Sequence, residues 1–418
     1  MLIEFYGQNF ACFRDEFRLS MLASDIDPNS DRGILEVRIN GDDQPLRLLR
    51  AAAIYGPNAS GKSTVIRAAA ALHFLIGTSA RLNSDAPLEP HLPFGVGASD
   101  DVVRLGLKAV VDGDVYDYQV QFNKTKIVSE RLAQLNAPGE AEDLLYRQGQ
   151  SVSGKWLENA QFALISQDFR PNVLLLSLAD RFVPSLAEDK SAAFRRLLRP
   201  SDALSWPWQS RAGKAAARRA QEDEHFRDWL LARLQSADLG IADLTLVQEG
   251  KTVPVAELDD SDGVVLRSEI ELKHHGGQGQ FSIPWHLESA GTRRLIELAP
   301  MLFDLGNVKQ PLTRFMDELH ESLHPTLFQA IIREFNCQTP MENVRGQLIF
   351  TTHETLLMDA EAKEAILRRD QVYLTEKARD GAAKLYSVAE FKERNNHNMR
   401  HRYLQGRYGA LPAVATLS

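Results

Sequence analysis

The stretch AAAIYGPNASGKSTVIRAAAALHFLI, residues 51–76, decides the fold class. Ala51 to Tyr55 has the length and apolar composition of a buried strand. Gly56-Pro57-Asn58-Ala59-Ser60-Gly61-Lys62-Ser63 fits the pattern G-x-x-x-x-G-K-[ST], and Thr64 follows. From Lys62 to Ile76 the residues read as a helix. Strand, loop and helix arrive in the order a phosphate-binding loop requires. The glycines let backbone N–H groups wrap an anion, and the helix N-terminus adds a partial positive charge. Lys62 is expected to reach the β- and γ-phosphates of a nucleotide, and the Ser63 hydroxyl to ligate Mg²⁺. A chance glycine-rich turn is the plainer alternative; the flanking strand and helix weigh against it. The class implied is α/β, with a P-loop.

Such a loop calls for a metal-binding acid on a neighbouring strand. QPLTRFMDELHESLHP, residues 310–325, offers one. Asp317 follows Phe315 and Met316 and is expected to hold Mg²⁺, usually through water. Glu318 would polarise the attacking water as a general base. The adjacent acids point to hydrolysis rather than transfer to a second substrate. Thr313 and Arg314 interrupt the apolar run, and an isolated MDE triplet would read as an exposed acidic pair. In GQLIFTTHETLL, residues 346–357, a β-like run ends at Thr351-Thr352-His353. A histidine at a strand's C-terminal end can face the ligand crevice of an α/β sheet. There His353 would contact the γ-phosphate and sense its loss; the alternative is a surface histidine before the next helix.

Composition bounds the remainder. The chain has 418 residues, 25% charged and 44% hydrophobic, with a formal net charge of −8. That is ordinary for a globular protein and excludes a surface that attracts nucleic acid everywhere. Cys12 and Cys337 are the only cysteines, which gives neither a disulfide framework nor a zinc pattern and suits a reducing compartment. No charged and apolar leader opens the chain, and no apolar run approaches the roughly 20 residues of a membrane helix. A cytoplasmic location without membrane contact is the expectation.

A second small, polar loop lies far along the chain. In HLESAGTRRLIELAP, residues 286–300, Ser289-Ala290-Gly291-Thr292 precedes a helix-like pattern at Leu295, Leu298 and Leu302. Taken alone, Ser289 reads as a helix cap. Together, Gly56–Ser63, Ser289–Thr292, Asp317-Glu318, the following HESLHP and His353 resemble an ABC-type ATPase head, the group of chromosome-maintenance and Rad-type repair ATPases. ESAGTRRLIELAPML, DELHESLHP, LIFTTHETLLM and YLQGRYGALP are similar to the RloA/AbiLii-type ATPases, AAA-family proteins of bacterial phage-defence loci. The resemblance covers the N-terminal core and nearly all of residues 280–412, and it is weak between about 180 and 265. It implies ATP as the ligand and a head-to-tail pair of copies. The signature loop of one copy, through Ser289, Gly291 and Thr292, would then close over ATP on the other copy's Lys62. It also implies a separate effector, such as a RloB-like protein with a Toprim-type nuclease fold. Relatives often open with NFRSF; here NFACF puts Ala11 at the arginine's place. No glutamine loop is recognised between the P-loop and the signature.

This reading divides the chain into 1–180, the first part of the head with a flanking antiparallel β-subdomain; 181–264, a mainly helical insertion; and 265–418, the rest of the head. Alternation from Val103 to Phe122 around Asp112-Gly113 predicts a hairpin of that subdomain. Residues 185–240 read as helical, with Phe226, Trp229, Leu230 and Leu234 on one face. Arg211, Lys214, Arg218 and Arg219 form a basic cluster, read as a solvated face in preference to a DNA contact because Glu222-Asp223-Glu224 follows at once. In VYLTEKARDG, Glu376 superficially resembles a Toprim acid, but no Asp-x-Asp follows. The tail NNHNMRHRYLQGRYGALP reads as a packed strand with a basic loop, and a partner or nucleic acid is its alternative occupant. Three functions compete: an ATPase switch subunit in phage defence, a repair ATPase that clamps DNA, and a nucleotide-dependent scaffold that sequesters a toxin.

Overall fold

The computed structural model describes residues 1–25, 32–95, 101–136, 140–200, 209–237, 240–249, 267–276, 279–308, 310–337, 345–359, 365–391 and 398–412. Contacts divide the chain into two compact units. One comprises Met1–Ser201, Val308–Leu319 and Ile331–Ser418; the other comprises Asp202–Asn307 and His320–Ala330.

The first unit is built on two large sheets. One is antiparallel and seven-stranded, in the order β10-β9-β8-β7-β6-β1-β2. Its strands are β1 (Leu2–Gln8), β2 (Phe17–Ser20), β6 (Val103–Val111), β7 (Asp114–Phe122), β8 (Ile127–Leu135), β9 (Ala141–Gln148) and β10 (Ser151–Ser153). The hairpin expected from the alternating pattern is β6–β7, turning at Asp112 and Gly113, both with positive φ. A small pair, β3 (Ile34–Val37) and β4 (Leu46–Leu49), precedes the central strand.

The second sheet has the order β11-β15-β16-β5-β17-β18. It comprises β5 (Ala51–Tyr55), β11 (Arg199–Pro200), β15 (Leu312–Met316), β16 (Gly346–Thr351), β17 (Val372–Lys377) and β18 (Ala383–Ser387). All pairs are parallel except β17–β18. β5 is buried throughout, as expected for a strand covered on both faces. Helix α1 (Lys62–Thr78) buries Val65, Ile66, Ala69, Leu72 and Ile76, a spacing of three and four residues that turns one stripe inward. The core joins both sheets: the Phe5 and Phe315 rings meet edge to face at 5.6 Å. Gln347, fully buried, uses all four of its bonding positions. Its Nε2 donates to the Leu2 and Leu49 carbonyls, and its Oε1 accepts from the Leu2 N–H and the Thr313 hydroxyl. Thr313, which interrupts the apolar run of β15 in the sequence, is therefore a working member of that strand. Short helices α2 (Ala160–Ile165) and α3 (Leu175–Phe182) and the longer α4 (Pro184–Leu197) complete this side.

The second unit packs α5 (Gln209–Glu222), α6 (Glu224–Ser236) and α7 (Ala290–Asn307) with an antiparallel sheet of β12 (Ile241–Glu249), β13 (Arg267–Gly276) and β14 (Gly279–Pro284). Phe226, Leu230 and Leu234 are buried as the helical face requires, and the Phe226 and Trp229 rings both stand edge-on to Phe303. Arg219 of the basic cluster is not a solvated charge. It lies over the Phe226 and Phe303 rings and pairs with Asp304 at 2.8 Å. The side chain of Arg211 lies outside the described residues. Helix α8 (Pro325–Cys337) starts in this unit and ends in the first. The chain's tail forms α9 (Met399–Leu404) where the sequence suggested a strand: Asn398 caps it by accepting the His401 N–H.

Candidate functional site

The loop between β5 and α1 is shaped by backbone that L-residues rarely adopt: φ is 147° at Gly56, 61° at Ala59 and 114° at Gly61. A side chain at Gly56 would collide with the carbonyl and hydroxyl of Thr375 on β17, so glycine is required there for space as well as for φ. Ser60 and Thr375 share a hydrogen bond at 2.5 Å, and the Thr375 hydroxyl donates to the Tyr55 carbonyl at 3.2 Å. One chain of donors satisfies all three groups: Ser60 to Thr375 to Tyr55. Asn58 and Ala59 are exposed, Pro57 is half-buried, and Ser60, Gly61, Lys62 and Thr64 are buried. No side chain caps α1. Lys62 folds back so that its Nζ donates to the Gly56 and Pro57 carbonyls at 3.1 Å. Burial lowers its pKa, and Glu318 and Asp317 oppose that shift.

Sequence reading placed the metal-binding acid on a strand next to the P-loop strand. The structure corrects this: β16 pairs with β5, and β15, which carries Asp317 at its end, lies one strand further out. The gap is closed by side chains at the carboxyl ends of the strands. Ser63 Oγ donates to Asp317 Oδ1 at 3.0 Å, and Thr351, at the end of β16, donates to the same oxygen at 2.6 Å. The Glu318 N–H donates back to the Thr351 hydroxyl at 2.8 Å. Glu318 itself has φ 45°, a left-handed conformation that costs an ordinary residue about 1–2 kcal/mol. Its Oε1 lies 3.6 Å from His353 Nε2, and His353 is exposed. Tyr55, the residue before Gly56, donates its hydroxyl to the Glu354 carbonyl at 3.0 Å. The first unit thus brings together Gly56–Thr64, Asp317, Glu318 and His353. Thr351 and Thr375 were missed as site residues. The only signal for either was a hydroxyl on a β-branched residue at a strand's carboxyl end, beside residues already singled out.

Ser289, Gly291 and Thr292 lie in the second unit. Ser289 Oγ accepts the Thr292 N–H at 3.0 Å and bonds the Thr292 hydroxyl at 2.8 Å, so within one chain Ser289 caps α7. Ser289 and Ala290 are exposed, while Thr292 is buried. A Cβ at Gly291 would stand 3.0 Å from the Ser322 carbonyl, so the HESLHP segment packs directly on this loop. Further along α7, burial pushes the Glu297 carboxyl up to about 7, against the pull of Arg294 and Arg293.

The donor set fits Mg²⁺. A hydroxyl and a carboxylate oxygen 3.0 Å apart match neighbouring ligands of an octahedral ion with bonds of about 2.0–2.1 Å. Among the described residues no cluster of three or more His, Cys, Asp or Glu side chains could hold a metal. No described helix is long and apolar enough to cross a membrane.

No curated protein matches the chain. Among solved structures it is similar to the recombination mediator protein RecF with ATPrS in the RecFOR pathway, at 10% identity over 92% of this chain and 98% of that one. The TM-score is 0.33. The profile of the family described as "AAA domain, putative AbiEii toxin, Type IV TA system" matches residues 51–359, from the first residue of β5 to just beyond His353, well over half of the chain. The fold is α/β with a P-loop, and the chain belongs to that family of AAA domains.

Proposed function

We propose that this protein is an ATP-hydrolysing switch subunit that controls a separate effector in defence against phage. One observation carries the hydrolytic part. Asp317 bonds the P-loop serine, and Glu318 stands beside it with its carboxylate near His353. Lys62 supplies charge to the β- and γ-phosphates, at the cost of its present bonds to two loop carbonyls. Ser63 and Asp317 would hold Mg²⁺, which when bound would neutralise phosphate charge. Glu318 accepts the proton of the attacking water. A bond forms from the water oxygen to the γ-phosphorus as the bond to the bridging oxygen breaks, leaving ADP and phosphate. His353 faces the group that departs and so reports its loss.

The effector role and the head-to-tail pairing rest on the resemblance to phage-defence ATPases, together with an exposed signature serine at a helix mouth. The effector is proposed to be a RloB-like protein with a Toprim-type nuclease fold, and the location cytoplasmic. The test is co-purification with the product of the neighbouring gene, followed by phosphate release with and without DNA. Nucleotide-dependent capture of that protein, with turnover indifferent to DNA, supports the switch. DNA-stimulated turnover without a protein partner would replace it by a DNA clamp. Capture without any turnover would leave a scaffold.

A further inference from the structure

We infer that Thr351 is a positioning residue for hydrolysis, the group that registers the Asp317-Glu318 turn on the strand leading to His353. The inference rests on the ATPase reading above.

The argument begins with the strand order. Because β16 separates β15 from β5, no main-chain ladder joins the strand of Asp317 to the strand of the P-loop. Thr351 stands in the intervening position, paired with Ile54 of β5 at the last rung of β16. It is fully buried and holds the turn at three points. Its hydroxyl hydrogen goes to Asp317 Oδ1, its hydroxyl oxygen accepts the Glu318 N–H, and its carbonyl accepts the Leu319 N–H at 3.2 Å. A hydroxyl has one hydrogen and two lone pairs, so it can donate to a carboxylate and accept from an amide at the same time. Valine has the same shape and can do neither.

Two consequences follow for chemistry. The donated bond fixes which Asp317 oxygen meets Ser63, since the same Oδ1 serves both hydroxyls. The accepted bond holds the peptide of Glu318, whose left-handed φ has no glycine to ease it. With that peptide held, the Glu318 carboxylate stays near His353, two residues beyond Thr351. Thr351 touches neither nucleotide phosphate nor water in this scheme; it acts through the acids.

The experiment compares wild type, Thr351→Val and Thr351→Ser. Phosphate release is measured at saturating ATP and Mg²⁺, ATP affinity by calorimetry with Mg²⁺ and with EDTA, and Tm alongside. Thr351→Val is expected to lower kcat about ten- to a hundredfold, the scale of a misplaced catalytic group. Its affinity in EDTA should equal that of wild type, while the affinity gained on adding Mg²⁺ should shrink. Thr351→Ser keeps the hydroxyl and should recover both. Wild-type kcat and an undiminished Mg²⁺ gain in Thr351→Val would overturn the inference, as would a lowered Tm with unaltered kcat. If Thr351→Val does not fold, Thr351→Ala is measured in its place. Failure of both, with Thr351→Ser folded, would make the hydroxyl a structural support and overturn the inference. Absence of turnover in wild type would sink the ATPase reading instead, and the Mg²⁺ gain would still test Thr351.

Discussion

The P-loop region and the signature loop differ in how much each achieves within one chain. Around Lys62, groups from β5, α1, β15 and β16 converge; a buried lysine and a left-handed Glu318 cost energy, and two hydroxyls donating to one Asp317 oxygen hold the arrangement in place. Around Ser289, among the described residues, left-handed backbone is confined to Ser322, at φ 62° and packed on Gly291. The serine caps its own helix, the glycine is packed by Ser322, and the exposed face makes no demand on its chain. Strain at a site persists where the surroundings over-determine it, and it marks chemistry. An exposed helix mouth whose cap is already satisfied is suited to meeting something delivered from outside.

The largest effect that would break this contrast is at Lys62. Lys62→Ala removes the main cation facing the phosphates, and losing one member of a buried charged pair costs about 2–5 kcal/mol, at least about thirtyfold in Kd. Calorimetry should show that loss. Unchanged affinity would mean that the loop binds phosphate by backbone alone.

Glu318→Gln comes next and separates binding from chemistry. The amide keeps the shape and loses the base. ATP affinity should hold while phosphate release falls by about 10²–10⁴. Wild-type turnover would move the base elsewhere.

The signature loop gives a smaller effect, because it is read from a mixture. Neither a Lys62→Ala homodimer nor a Ser289→Arg homodimer should hydrolyse well. Mixed and exchange-equilibrated, they form dimers with one intact composite site, and part of the activity should return. Differential tags confirm the mixed species. Wild-type hydrolysis by Ser289→Arg alone would leave Ser289 as a helix cap and nothing more.

What the sequence revealed follows the same divide. The P-loop is local: eight consecutive residues between a strand and a helix, so its geometry is encoded where it is read. That Asp317, Glu318 and His353 would come together was legible because Asp317 and the Thr351-Thr352-His353 stretch follow apolar runs, and carboxyl ends of strands share one edge of the sheet. The strand order was not legible. Nothing in residues 310–316 or 346–351 says which run lies next to β5, since both are short apolar strands returning from long connections. Missing that order also hid Thr351, whose role exists only because its strand is the one in between. Arg219 was misread for a related reason: a cation on a helix looks solvated until the rings of Phe226 and Phe303 are found beneath it. Glycine is dictated at Gly56 by Thr375, roughly 320 residues later in the chain, and no local pattern carries that.

The smallest expected effect concerns α7 itself and sharpens the claim that this helix is unstrained at its Ser289 end. One residue on that helix departs from it: the Glu297 carboxyl, pushed up to about 7 by burial. A folded-state value above the ordinary 4.5 means the native chain holds this proton more tightly than the unfolded chain does. Stability is then highest at acid pH for this group, falls as pH rises from about 4.5 to about 7, and loses nothing further above that. Arg294 and Arg293 face the same carboxyl and limit the shift, and Glu321 faces Arg294, so the net effect is a balance among four charges. Glu297→Gln carries no proton to lose. It should therefore gain on wild type as pH is raised from 5 to 8, by a margin reduced because the group is only half-buried and solvent screens its neighbours. For a chain of this size the gain in Tm is expected to stay within about 2–4 °C. The measurement is Tm of both proteins at pH 5, 6, 7 and 8. A constant difference across that range would show that Glu297 keeps its proton equilibrium on folding, and that α7 is as free of strain at Glu297 as at its cap.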